Sequence, residues 1–265
     1  MDRRQAMVAL GAGGMALLAG AGREGRSDAA EPPSATPAVP ATPPSPMPSS
    51  AARPPGAHGV APLPFTPGKL RGLSEKMMVS HHDNNYAAAV KNLNKVEVEL
   101  SRVNRDTPGF VLGGLKQSEL TFTNSMLLHE SYFGALGGDG KRGAAVERRL
   151  AAAFGSAARW EEQFRALGAS LGGGSGWAVL YVGLHDGLHD GRHDGSLGNS
   201  WSGNHTQALA GGVPLLVMDM YEHAYQMDFG AQAARYIDAF FDNIEWGEVQ
   251  RRMETAEAMR RLLHR

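Results

Sequence analysis

The stretch Pro214-Leu-Leu-Val-Met-Asp219-Met-Tyr-Glu-His223-Ala-Tyr225 delivers a carboxylate at the end of an apolar run and an imidazole four residues later. An apolar run of this length reads as a buried strand. A carboxylate at its end is costly unless something pairs with it. Two arrangements meet that demand. A hydrogen-bonded aspartate and a packed histidine do so without any ligand. A metal ion does so with carboxylate and neutral imidazole, an oxygen and nitrogen set that suits iron, manganese or zinc. Upstream, His81 and His129 are available to complete such a sphere. The D-x-x-x-H spacing alone leaves both arrangements open.

Outward from that stretch, composition divides the chain. Residues 31–67 hold 13 of the 15 prolines among Ala, Ser and Thr, which predicts a solvated, extended linker over 26–67 and a globular part from Gly68 onward. A net charge of −1 gives no case for nucleic acid or an anionic membrane surface. The absence of cysteine excludes disulfides, thiolate zinc sites, iron–sulfur clusters and a cysteine nucleophile. At the N-terminus, Arg3-Arg4, the mild apolar run Val8–Leu18 and Ala19-Gly20-Ala21 supply the parts of an export signal over 1–25. The paired arginines resemble the address read by the twin-arginine export machinery. The expected product is periplasmic or secreted.

From Gly68 the apolar spacing is helical. It predicts a long helix from about Leu73 to Leu100, capped by Ser74 and bearing His81, then a second from about Gln117 to Leu136 bearing His129. Joined by a turn, the two form an antiparallel hairpin domain over 68–138. The remainder, 139–265, mixes helices at Arg142–Phe154, Ala158–Leu171, Gln232–Asn243 and Trp246–Leu263 with strands at Trp177–Val182, Ser196–Ser202 and the buried run. The fold class is therefore α+β, a helical hairpin beside a small, mostly antiparallel sheet flanked by helices. Three tandem His-Asp-Gly units at 184–195 read as an insertion in a hairpin tip. The alternative is a metal-scavenging loop built on His185, His189 and His193.

Several of these features occur together and in order: His81 eleven residues before Asn92-Leu93-Asn94, His129 on the second helix, Ala153-Phe-Gly-Ser156, Gly174-Ser-Gly-Trp177, and Asp219 with Glu222-His223-Ala224-Tyr225. In this the chain resembles the iron/manganese superoxide dismutases over about Leu73–Met253. The resemblance implies a single iron or manganese ion held by His81, His129, Asp219 and His223, with water or hydroxide as fifth ligand and superoxide as substrate. It implies that Trp177 forms an aromatic wall and that Tyr221 stands where the family carries a tryptophan. It further implies a homodimer through the Glu222/His223 region, with Glu222 reaching the partner's metal-binding histidine. His205, just before the buried strand, is the candidate for the family's Gln or His that bonds the metal's solvent ligand.

The chain also departs from the family pattern. The gateway tyrosine falls on Ala89, the gateway histidine on Asn85, and a further tyrosine on Gln226. Two basic positions hold Asn84 and Ala233. Asn85, Tyr86 and Gln226 are candidates for a rebuilt polar relay. Two alternatives to a working dismutase follow: a dismutase-like metal-binding protein with weak or no turnover, and another mononuclear metal enzyme.

Overall fold

The computed structural model describes residues 53–184, 197–207 and 210–263. The export-type segment 1–25 and the repeat histidines His185, His189 and His193 lie outside the described residues. Ser74 opens α1 (Glu75–Ser80) by accepting the Met77 N–H. The helix continues through a π-helical turn, His81–Tyr86, into α2 (Ala87–Leu100). After a turn comes α3 (Gly109–Gly134), followed by α4 (Ala144–Phe154) and α5 (Ala157–Ala169). Three strands, β1 (Trp177–Gly183), β2 (Leu197–Ser202) and β3 (Gly212–Asp219), precede α6 (Gln226–Phe229), α7 (Ala233–Asp242) and α8 (Trp246–Leu263).

The sheet order is β2-β1-β3, with both pairs antiparallel. In this register Trp177 sits opposite Asp219 on one side and Ser202 on the other. The end of the sheet can close up there because Gly176 has φ 147° and a β-carbon on it would overlap Ser202 O. Helix α3 lies against α2 and β3, α8 against β3, and α5 against β1 and β2. One apolar core, from Leu73 to Ala256, runs through both the 68–138 and the 139–265 portions.

Two expectations need correction. The linker expected over 26–67 does not extend to residues 53–67, which form an arm on the hairpin, while residues 26–52 lie outside the described residues. Asn94 holds the His58 backbone by both edges, accepting its N–H and donating to its carbonyl at 2.9 Å each. Glu97 accepts the Gly56 N–H at 2.8 Å, and Phe65 packs against the core. Polar clamps supplied by a distant helix leave no trace in the arm's own hydropathy, so its composition reads as disorder. The second helix also starts at Gly109 rather than Gln117. Its first turns expose Phe110 and Val111 and carry Gly113 and Gly114, so no buried stripe marks them in the sequence.

Candidate metal centre

The four expected ligands come together. His81 leads the π-helical turn, His129 lies near the end of α3, Asp219 ends β3, and His223 follows in a 3-10 turn, Glu222–Ala224. Around Asp219 Oδ2 stand His81 Nε2 at 3.1 Å, His223 Nε2 at 3.2 Å and His129 Nε2 at 3.6 Å. His81, His129 and Asp219 are buried, while a quarter of the His223 side chain stays exposed. Helix α3 owes its position to the hairpin and to β3. Asp219 is aimed by its other oxygen, which accepts the Tyr221 N–H at 2.8 Å.

Hydrogen bonds fix the chemistry of these groups. His129 Nδ1 donates to Ser125 O at 2.6 Å, so its Nε2 carries a lone pair. That Nε2 is buried with no hydrogen-bond partner. A bare lone pair therefore faces a buried carboxylate oxygen, which is repulsive unless a cation lies between them. The residues thus fit a metal ion. Burial pushes the Asp219 carboxyl up, but the charge and hydrogen bond of His223, with those of His81, outweigh it and hold the group far below the usual carboxylate range. Burial also keeps His81 and His129 neutral, His129 down at about 3. His223 moves up, because Asp219 overrides the effect of its burial. Three imidazoles and one carboxylate, all within 4.8 Å of one another, make an oxygen and nitrogen set suited to iron or manganese.

The surrounding layer contains the three other singled-out residues. Trp177 is buried, packs edge-on to His129 at 5.0 Å between ring centres, and donates Nε1–H to His205 Nδ1 at 3.0 Å. His205 stacks on Tyr221 at 4.8 Å, and Tyr221 on His223 at 5.4 Å. The His205 carbonyl accepts from Asn124 Nδ2 at 2.6 Å.

The rebuilt relay of Asn85, Tyr86 and Gln226 does not assemble. Gln226 is exposed, and Tyr86 is buried with its hydroxyl committed, donating to Glu130 at 2.8 Å and accepting the Ala61 N–H at 2.9 Å. Burial, then the Glu130 contacts, keep that phenol up at about 12. The π-helical turn is the reason Tyr86 faces inward. Buried positions step from His81 to Tyr86, five residues, where an α-helix would turn Asn85 inward. Ser125, Asn124 and Glu130 are functional neighbours that the motifs do not mark; only Ser125 has a sequence signal, its spacing of four residues before His129 on one helix.

Comparison with known proteins follows this geometry. Residues 142–252 match the family model of iron/manganese superoxide dismutases, C-terminal domain. An iron superoxide dismutase of Cupriavidus metallidurans is 47% identical over 196 residues, covering 74% of this chain and 95% of the relative. The chain belongs to the iron/manganese superoxide dismutase family. A manganese superoxide dismutase of Halobacterium salinarum is 32% identical over 74% of this chain and 94% of its own length. An iron superoxide dismutase of Aquifex aeolicus is 29% identical over 76% and 94% respectively.

These protonation states set a pH dependence for the metal-free protein. Below the ordinary 6.5 the unfolded chain protonates all three histidines, whereas the folded one protonates His223 but not His81 or His129. Burial likewise holds the His205 ring neutral, so the unfolded state binds more protons and stability falls on acidification with a slope approaching about three protons. Above 6.5 the folded His223 alone keeps its proton, so stability falls again as pH rises through its raised pKa. Urea midpoints of metal-free protein between about pH 5 and 8 should therefore peak near 6.5. In His129→Gln the acid limb should lose about one proton of slope; an unchanged limb would contradict the assignment.

Proposed function

We propose that this chain is a superoxide dismutase whose iron or manganese ion is held by His81, His129, Asp219 and His223. The observation that carries it is the buried His129 lone pair aimed at the Asp219 carboxylate, in a chain 47% identical to an iron dismutase over nearly all of that relative's length. An ion held there would supply one-electron redox chemistry, by which two superoxides and two protons would become one dioxygen and one hydrogen peroxide. Neutral imidazoles and one carboxylate keep the site's net charge low in both oxidation states, which limits reorganisation.

His205 is the proton-holding residue of this reading. Its Nδ1 accepts from Trp177, so the neutral ring carries its proton on Nε2. Burial lowers its pKa against the pull of Asp219, so the ring stays neutral and keeps that N–H as a donor for the site. Trp177 holds it by that hydrogen bond and Tyr221 by stacking on its ring. With Asn84 and Ala233 at the two basic positions, superoxide encounters less positive charge here, which lowers electrostatic steering.

Two further readings accompany this one. Glu222 is exposed beside the accessible ring of His223, which supports a homodimer in which Glu222 reaches the partner's site. Arg3 and Arg4 before an apolar run and a small-residue cleavage motif support twin-arginine export to the periplasm or beyond. Replacing both arginines by lysine should leave the protein in the cytosolic fraction; unchanged export would count against that route.

The test of the activity is superoxide consumption by the protein reconstituted separately with iron and with manganese, alongside bound-metal analysis. Turnover is expected with at least one metal. Tight binding without turnover in either form would favour the metal-binding reading. Asp219→Ala and His81→Ala should abolish metal retention, and full occupancy in either would remove the ligand assignment. His205→Ala should keep the metal and lower turnover by about 10- to 100-fold. Glu222→Ala should weaken the dimer, measured by sedimentation, together with metal retention.

A further inference from the structure

Two backbone irregularities lie on the two elements that carry His129 and Asp219, and one side chain answers both. In the last turn of α3 the Ala135 N–H, which a regular α-turn would direct to Ser131 O, bonds instead to Tyr132 O at 3.2 Å. Ser131, two residues after His129, is thereby left without its helical donor. On β3 the register slips: Leu180 pairs with Leu216 and Tyr181 with Pro214, so Leu215, four residues before Asp219, faces no residue across the ladder.

Arg252 of α8 reaches both places. Its Nη1 donates to Ser131 O at 2.9 Å and to Leu215 O at 3.2 Å, while Nε is held by Glu248 at 2.8 Å. The guanidinium is mostly buried, with 15% of the side chain exposed. Gly134 makes room for it, since a β-carbon there would overlap Arg252 Nη2. A buried cation spent on two backbone carbonyls is a poor way to gain stability, because an apolar residue of similar volume often serves as well. What it supplies is a fixed distance between the end of α3 and the bulge of β3.

We infer that Arg252 is a positioning residue for the metal site, setting the placement of His129 against Asp219 by tying Ser131 O to Leu215 O. This rests on the reading of His81, His129, Asp219 and His223 as ligands. Both carbonyl bonds leave Nη1, whose two N–H groups are fixed in the guanidinium plane, whereas a lysine ammonium turns freely on its stem and would hold the two carbonyls less rigidly. Glu248, bonded at Nε, keeps that plane oriented.

The test uses the full chain loaded with iron, comparing the parent with Arg252→Met, Arg252→Lys, Glu248→Gln and Asp219→Ala. The readouts are the ferric electron paramagnetic resonance line shape, the rate of iron loss to a chelator, and the thermal midpoint of the metal-free protein. Arg252→Met should lose iron about 10-fold faster with an altered line shape, and Arg252→Lys should fall between it and the parent. An unchanged line shape and loss rate in Arg252→Met would overturn the positioning role, whatever the thermal midpoint does. Should Arg252→Met fail to fold, Glu248→Gln decides on the same two spectroscopic and kinetic readouts. Iron retention by Asp219→Ala would instead overturn the ligand reading itself, and the inference with it.

Discussion

A carboxylate shut away from water and faced by an imidazole lone pair is an arrangement that a cation between them relieves. Asp219 and His129 stand in that relation because the proton of His129 is already committed to Ser125 O. Much of the fold keeps them there. Asp219 is held by the Tyr221 N–H and by the register that sets it beside Trp177, and His129 by a helix packed on that same strand. Without an ion the two groups repel, so metal binding and the integrity of this corner of the core are one free-energy problem.

Around the ligands the protein uses rigid, mostly apolar rings and very few mobile polar groups. His205, Tyr221 and His223 stack in sequence, and Trp177 closes the stack by fixing the tautomer of His205. Tyr86 belongs to this wall, for its hydroxyl is saturated by Glu130 and by the arm at Ala61.

Much of this was legible in the sequence. The α+β class, the helical hairpin and the three strands follow from hydrophobic period, while His81, His129, Asp219 and His223 are singled out by the family resemblance that the ordered motifs carry. The misses share another cause. The arm at 53–67 is held by Asn94 and Glu97 from a helix more than thirty residues away in sequence, and hydropathy is blind to such clamps. The early start of α3 lacks an apolar stripe because its first turns stand in solvent. The inward turn of Tyr86 depends on a π-helical step that a 3.6-residue period does not contain.

The sequence by itself determined the main elements, because those follow from hydrophobic period and local propensity, and its ordered motifs carried the family resemblance that singles out His81, His129, Asp219 and His223. Tertiary structure alone decided the rest. The tautomer of His129 depends on Ser125 O, that of His205 on the indole of Trp177, and the spacing of α3 and β3 on Arg252 bridging a tightened turn and a bulge. Each of these is a contact in which backbone geometry or a partner atom, rather than the residue's own identity, selects where a proton or a carbonyl points.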